Sequence, residues 1–227
     1  MHQVGIIGVS GKLGRYLAKD ALDRGYEVVG VCRKESVGKL GELADAIKVL
    51  PGGTDDREVI REAVAGCDGV LTVLVPWGVR HYASGTAQAV LDGARPDARL
   101  VFSCGWHVPG HEKDSYSRSK LLLQSATTKV MRALRVMDID DQVAAARRVY
   151  ESSTQWTVVR ASTLEEGESE GRPAWADHVG HPKLASDRTR RIDYARFLVD
   201  TLTDDALIRK APAIVGCRTP SALAHER

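Results

Sequence analysis

The chain carries almost no net charge. Its 227 residues hold 32 Lys and Arg against 30 Asp and Glu, a balance of +2. A protein that reads phosphate backbones or anionic lipid leaves a basic excess, so neither nucleic acid nor a membrane surface is an expected partner. The cysteines, Cys32, Cys67, Cys104 and Cys217, share no metal or redox spacing, which leaves reduced cytosolic thiols and no metal site. No apolar run approaches transmembrane length. Met1-His2-Gln3 runs directly into an apolar strand with no secretory leader, so a cytoplasmic location is expected. Repeats and low-complexity linkers are also missing. What remains suits one α/β domain over 1–227, with a small substrate-side lobe at about 161–191.

The most informative stretch is present at the start: Val4-Gly5-Ile6-Ile7-Gly8-Val9-Ser10-Gly11-Lys12-Leu13-Gly14. An apolar run meets three glycines at i, i+3 and i+6. With this glycine content about 0.2 such triplets arise by chance, so context carries the reading. Leu13, Leu17 and Ala21 follow at helical spacing, and Gly25 stands where a helix would stop. A buried strand turning sharply into a helix presents free N–H groups to a phosphate. Gly8 would permit the turn, Gly11 the close approach of a pyrophosphate, and Gly14 the packing of helix on sheet, with Ser10, Lys12 and Leu13 completing the cradle.

Downstream, strand and helix alternate. Strands are expected at Val4–Ile7, Glu27–Cys32, Ala46–Leu50, Gly69–Val75, Arg99–Ser103 and Trp156–Arg160, with a late one at Ala213–Gly216. Their continuous apolar character suits parallel strands buried on both faces. Helices are expected at Lys12–Arg24, from Asp55-Asp56-Arg57 to Ala65, at Arg80–Ala94, Ser115–Val136, Asp140–Ser152 and Ile192–Leu202, with an irregular stretch at Val37–Ala44. The pattern predicts a Rossmann-like doubly wound parallel sheet with helices on both faces. Residues 164–187 read as a long loop over the sheet's C-terminal edge. The cluster Arg188-Thr189-Arg190-Arg191 reads as a solvated loop or a clamp on cofactor or substrate.

In this architecture the residue after the second strand meets the adenosine ribose. Arg33 and Lys34 stand there, and two cations suit a 2′-phosphate, so NADP(H) is the expected cofactor. Gly53-Thr54-Asp55 would lie near the adenine. Leu74, Val75 and Pro76 would line the cofactor.

These segments together resemble the atypical short-chain dehydrogenase/reductase superfamily, in the group of NmrA-like proteins and the biliverdin reductase B–flavin reductase type. The resemblance rests on Gly8 to Gly14, Arg33, Gly53-Thr54-Asp55-Asp56, Ala63-Val64-Ala65-Gly66-Cys67-Asp68-Gly69-Val70, Trp156-Thr157-Val158-Val159-Arg160 and Ile192-Asp193-Tyr194-Ala195. The family commonly has Arg-Pro after the sixth strand. Here Arg160 precedes Ala161, which implies a looser turn.

The resemblance implies a catalytic Ser, Tyr and Lys, the last two spaced Tyr-x-x-x-Lys to share a helix face. Tyr116-Ser117-Arg118-Ser119-Lys120 has that spacing, and Ser103 precedes it at the end of the fifth strand. The flavin-reductase type implies a different chemistry. There NADPH passes hydride directly to a flat acceptor, and Trp106, His107, His111, Trp175 and His178, with Trp77, would surround it. The leading expectation is an NADPH-dependent oxidoreductase acting on a small aromatic, quinone- or flavin-like carbonyl acceptor, as a monomer or homodimer. The alternatives are a non-catalytic NADP(H)-sensing regulator resembling NmrA and, further off, a nucleotide-sugar epimerase or dehydratase.

Overall fold

The computed structural model describes residues 1–74, 81–116 and 138–225. Its central sheet has eight strands in the order β3-β2-β1-β4-β5-β6-β10-β8. They are β1 Gln3–Ile7, β2 Glu27–Cys32, β3 Lys48–Pro51, β4 Gly69–Val73, β5 Arg99–Gly105, β6 Gln155–Ala161, β8 Ala174–Ala176 and β10 Ala213–Val215. All pairings are parallel except β10 with β8. A separate parallel pair joins β7 Thr163–Glu165 to β9 Arg188–Arg190.

The apolar strands build two cores, one on each sheet face. On one side α1 (Lys12–Asp23) and α6 (Arg191–Thr201) pack Leu13, Leu17, Phe197 and Leu198 against Val4, Ile6 and Leu71. On the other, α3 (Arg57–Val64), α4 (Tyr82–Gly93) and α5 (Ile139–Glu151) pack Ile60, Ala87, Val90 and Ala146 against Ile7, Val70 and Phe102. Acids set several helix starts, Asp138 at the start of α5 among them. Asp56 accepts the N–H groups of Glu58 and Val59. Asp141, almost wholly buried on α5, accepts those of Ala83 and Ser84 and so caps the neighbouring α4. β1 lies between β2 and β4, where the winding reverses. That switch point is where folds of this kind bind ligands.

Several boundaries depart from expectation. β3 begins at Lys48 because Leu43–Ala46 forms a short helix, α2, after a 3₁₀ helix over Lys34–Leu40. The stretch expected as one loop over 164–187 contains β8 and most of β7, strands of three residues, too short to show a period. Within Arg188–Arg191, Arg188 to Arg190 forms β9, and Arg191 opens α6. β6 continues through Ala161 instead of loosening after Arg160. The helix expected over Ser115–Val136 falls from residue 117 onward outside the described residues. All four cysteines are free thiols.

Candidate active site

β1 ends at Gly8, whose φ of +89° is the left-handed conformation that glycine adopts without strain. The N–H groups of Gly8 and Val9 both reach the Val31 carbonyl, tying the turn to β2. Gly14 lets α1 sit on this turn: a Cβ there would lie 2.2 Å from the Gly8 carbonyl oxygen. Gly11 caps α1 with no side-chain acceptor. The first N–H groups of the helix and its positive dipole end therefore remain for an anion.

This turn forms one wall of a cleft of about 680 Å³, with Gly8, Ser10, Gly11, Lys12 and Leu13 among its lining. Arg33, Ser36 and Lys39 line it together. A 3₁₀ helix has three residues per turn, so positions 33, 36 and 39 share one face. Lys34 is exposed and points elsewhere for the same reason. Ser36 and Lys39 were legible in principle as an i, i+3, i+6 series, but only once a 3₁₀ helix was assumed. At the next strand end Thr54 lines the cleft while Asp55 is exposed outside it. Leu74 lines it, with its N–H on the Ser103 carbonyl. Val75 and Pro76 lie outside the described residues, as does Trp77.

Two cations of the cleft are held by one carboxylate. Glu166 accepts from Arg191 Nε at 2.8 Å and from the Tyr16 hydroxyl at 3.2 Å, and lies 3.9 Å from Lys12 Nζ. The bond from Arg191 holds the Glu166 carboxyl below its ordinary pKa.

Further along the sheet edge the cleft is lined by Ser103, Cys104, Gly105, His107, Gln142 and Tyr194. Ser103 is buried at the end of β5. Tyr194 is fully buried beside it and donates its hydroxyl to the Val159 carbonyl at 2.8 Å, and burial pushes its phenol far up in pKa. Gln142, from α5, donates to the Leu74 carbonyl at 2.6 Å. Burial pushes the His107 pKa down, and the Gln142 amide pushes it partly back.

A second cavity, of about 540 Å³, adjoins the first; Gly105, His107, Ala161 and Ser162 line both. Tyr116 belongs to this second cavity and not to the cleft. Its hydroxyl donates to the Trp106 carbonyl at 2.9 Å, and burial, assisted by the Asp114 charge, pushes its pKa up to about 12. Ser103 and Tyr116 thus line neighbouring chambers, and Lys120 lies outside the described residues. Trp106 lines the second cavity and anchors its indole N–H on the Ile214 carbonyl. His111 and His178 pack ring to ring, 5.8 Å between centroids, and Trp175 lies half exposed on β8; these three line neither chamber.

The loops around the second cavity hang on one buried ion pair. Arg160, at 0% exposure, donates to Asp114 Oδ2 at 2.6 Å and to the carbonyls of Ala211 and Asp177. Asp114 also accepts the N–H groups of Gly110, His111 and Val179. Burial pushes the Asp114 pKa up, but these donors and Arg160 outweigh it and leave it lowered. Among the described residues no group of acids, histidines and cysteines could hold a metal, and no helix is long and apolar enough to cross a membrane.

With a phosphate cradle, a basic face and a buried strand edge in one cleft, the class is defined. The sequence profile of the NAD(P)H-binding family matches residues 8–205, and the chain belongs to that family. Its fold is that of the short-chain dehydrogenases/reductases. A short-chain dehydrogenase/reductase of the wide type from Veillonella parvula, solved with NADP, superposes with a TM-score of 0.71 over 94% of each chain at 14% identity. ChuY, an anaerobilin reductase from Escherichia coli O157:H7, superposes with a TM-score of 0.70 at 17% identity, covering 96% of this chain and 98% of its own. By sequence, the chain is 32% identical over 71 residues to a decarboxylating sterol-4-alpha-carboxylate 3-dehydrogenase of Dictyostelium discoideum. It is 33% identical over 70 residues to the uncharacterized protein YLL056C of Saccharomyces cerevisiae. Those matches span about a third of this chain and only 21% and 24% of the two relatives.

Proposed function

We propose that the protein is an NADPH-dependent oxidoreductase that passes hydride to a planar, carbonyl-bearing acceptor of the quinone or flavin kind. The observation that carries this reading is the shared wall: a cleft that begins at a phosphate cradle ends against a second, ligand-sized chamber. The donor set fits a dinucleotide. The uncapped start of α1 and the Gly8–Gly14 turn would hold the pyrophosphate, and Arg33, Ser36 and Lys39 the 2′-phosphate. Bound there, the reduced nicotinamide supplies the hydride.

The protein's own part is orientation and exclusion of water. Leu74 and the buried Ser103 shape the far end of the cleft. Trp106, Val179 and Leu184 give the second chamber an apolar lining suited to a flat ring. Tyr116 is read as part of that wall, because its hydrogen is committed to Trp106 and its acidity is lowered by burial, the reverse of what a proton donor needs. The test is NADPH oxidation by purified protein with a panel of quinones and flavins. Oxidation that needs both protein and acceptor is the expected outcome. Tight NADPH binding with no acceptor-driven oxidation would overturn it in favour of an NADP(H)-sensing regulator.

A further inference from the structure

We infer that His107 is the proton carrier for the acceptor's reducible oxygen and that Gln142 is the positioning residue that fixes its ring. This rests on the oxidoreductase reading and adds a residue to it. Of the four residues that line both chambers, only His107 and Ser162 have polar side chains. The Ser162 hydroxyl is already engaged with Thr189 at 2.6 Å. His107 is therefore the side chain on the shared wall that is left to do chemistry.

The orientation of the ring follows from its neighbour. Gln142 spends its amide N–H on the Leu74 carbonyl, so the Oε1 left over can only accept. His107 and Gln142 line the same cleft. The buried Nε2 of His107 and the buried Oε1 of Gln142 have no hydrogen-bond partner among the described residues. An Nε2–H facing Oε1 satisfies both, and this tautomer leaves Nδ1 as the working nitrogen. Nδ1 rests against Gly105, where a Cβ would stand 2.7 Å away, on the wall common to both chambers. Glycine at 105 is what lets the ring lie there.

The step balances as follows. NADPH bound in the cleft would supply the hydride for the new bond to the conjugated acceptor and would itself become NADP⁺. The carbonyl π pair moves onto the acceptor's oxygen, which takes the proton from Nδ1 of the imidazolium and leaves the ring neutral with its Nε2–H in place. A proton taken up from solvent restores the imidazolium for the next turnover, so each cycle consumes one proton. In the reverse direction the neutral ring accepts the proton.

The experiment uses the full chain, with menadione as acceptor. His107→Ala is expected to lower kcat by about 10²-fold, the lower range for a positioned acid or base, with NADPH affinity by fluorescence titration unchanged. Added imidazole is expected to restore part of the rate. Gln142→Leu is expected to lower kcat with the KM for NADPH unmoved. Unchanged turnover in His107→Ala, or a loss that imidazole does not rescue, overturns the inference. If His107→Ala does not fold, Gly105→Ala serves, since its methyl displaces Nδ1; unchanged turnover there also overturns it. A wild-type protein that binds NADPH but reduces nothing fails the oxidoreductase reading itself, a result distinct from any of these.

Discussion

The two ends of the cleft are built by different means. The end at the glycine turn, the proposed phosphate end, is made of neighbours in sequence: a strand, the turn Gly8–Gly11, a helix start and one 3₁₀ helix within the first 40 residues. Its chemistry is largely backbone. The proposed acceptor end draws on residues within 105–116, 161–163 and 179–187, with Gln142 from the adjoining cleft, brought together by side chains that cross long stretches of chain. Asp114 and Arg160 are 46 residues apart, and Trp106 and Ile214 are 108 apart. The first end is fixed by short-range contacts, the turn being tied to the adjacent β2 through the Val31 carbonyl. The second exists only once the whole sheet has formed.

The contrast is broken most severely at the ion pair. Asp114→Ala leaves a fully buried guanidinium without its charge partner and removes the acceptor for three N–H groups. Breaking a buried pair in this way costs about 3–5 kcal/mol, and chemical denaturation would read it directly. The acceptor chamber should be lost with NADPH binding kept wherever the fold survives. The same pair sets an acid limit. The Asp114 pKa is lower folded than unfolded. Its stabilisation is thus complete above the unfolded value, near 3.9, and disappears as pH falls through the lower folded value. Acid unfolding of the wild type should therefore steepen below about pH 4, and Asp114→Asn should flatten that limb.

Next in size is Gly14→Ala at the other end. Its methyl would lie 2.2 Å from the Gly8 oxygen and 2.7 Å from Val9 backbone, so α1 must lift from the turn. Overpacking of this kind costs about 1–3 kcal/mol. Here it also spoils the cradle, so NADPH affinity is expected to fall further than stability, as isothermal titration would show. Equal losses of both would mean that the turn is a packing device and not a phosphate site.

The difference between the ends also explains what was legible beforehand. The seven expected strands came through because buried parallel strands are unbroken apolar runs, and they make up all of the eight-stranded sheet but β8. Arg33 was legible because the strand before it determines its place. Lys34 and Asp55 were chosen by adjacency, and adjacency fails where the chain turns: a three-residue period puts Ser36 and Lys39 on the cleft and Lys34 outside it. Gln142 gave no signal, since a glutamine on an amphipathic helix looks like any solvated polar residue until Leu74 is beside it. Strands β7 to β9 were hidden by their length, and the Arg160–Asp114 pair by its separation.

Cofactor choice gives a smaller effect that sharpens the comparison. Arg33→Asp would replace the proposed donor to the 2′-phosphate with a repelling charge while the glycine turn stays intact. One charge-assisted hydrogen bond is worth about 1.5–3 kcal/mol. NADPH affinity should fall on the order of 10- to 100-fold relative to NADH, and Lys39→Ala should act in the same direction by less. Lys34→Ala should do nothing measurable. If Lys34 rather than Lys39 moves the preference, the 3₁₀ face is not the recognition face.

Tyr116→Phe is the smallest effect and the most discriminating. The substitution deletes one hydroxyl and keeps the ring. Its direct cost is the bond to the Trp106 carbonyl, about 1 kcal/mol of stability for a half-buried neutral pair. The carbonyl it releases belongs to the residue before His107, so the loop has reason to loosen slightly, but the ion pair at Asp114 and the indole anchor at Ile214 still hold it. A phenol that served as proton donor would cost at least about 10²-fold in kcat when removed. Buried, hydrogen-bonded to a carbonyl and pushed up to about 12, this phenol holds its proton tightly, so the expected change in kcat is within about twofold. Steady-state rates with menadione separate the two cases by far more than their error, and a hundredfold loss would return Tyr116 to the centre of the chemistry at the expense of His107.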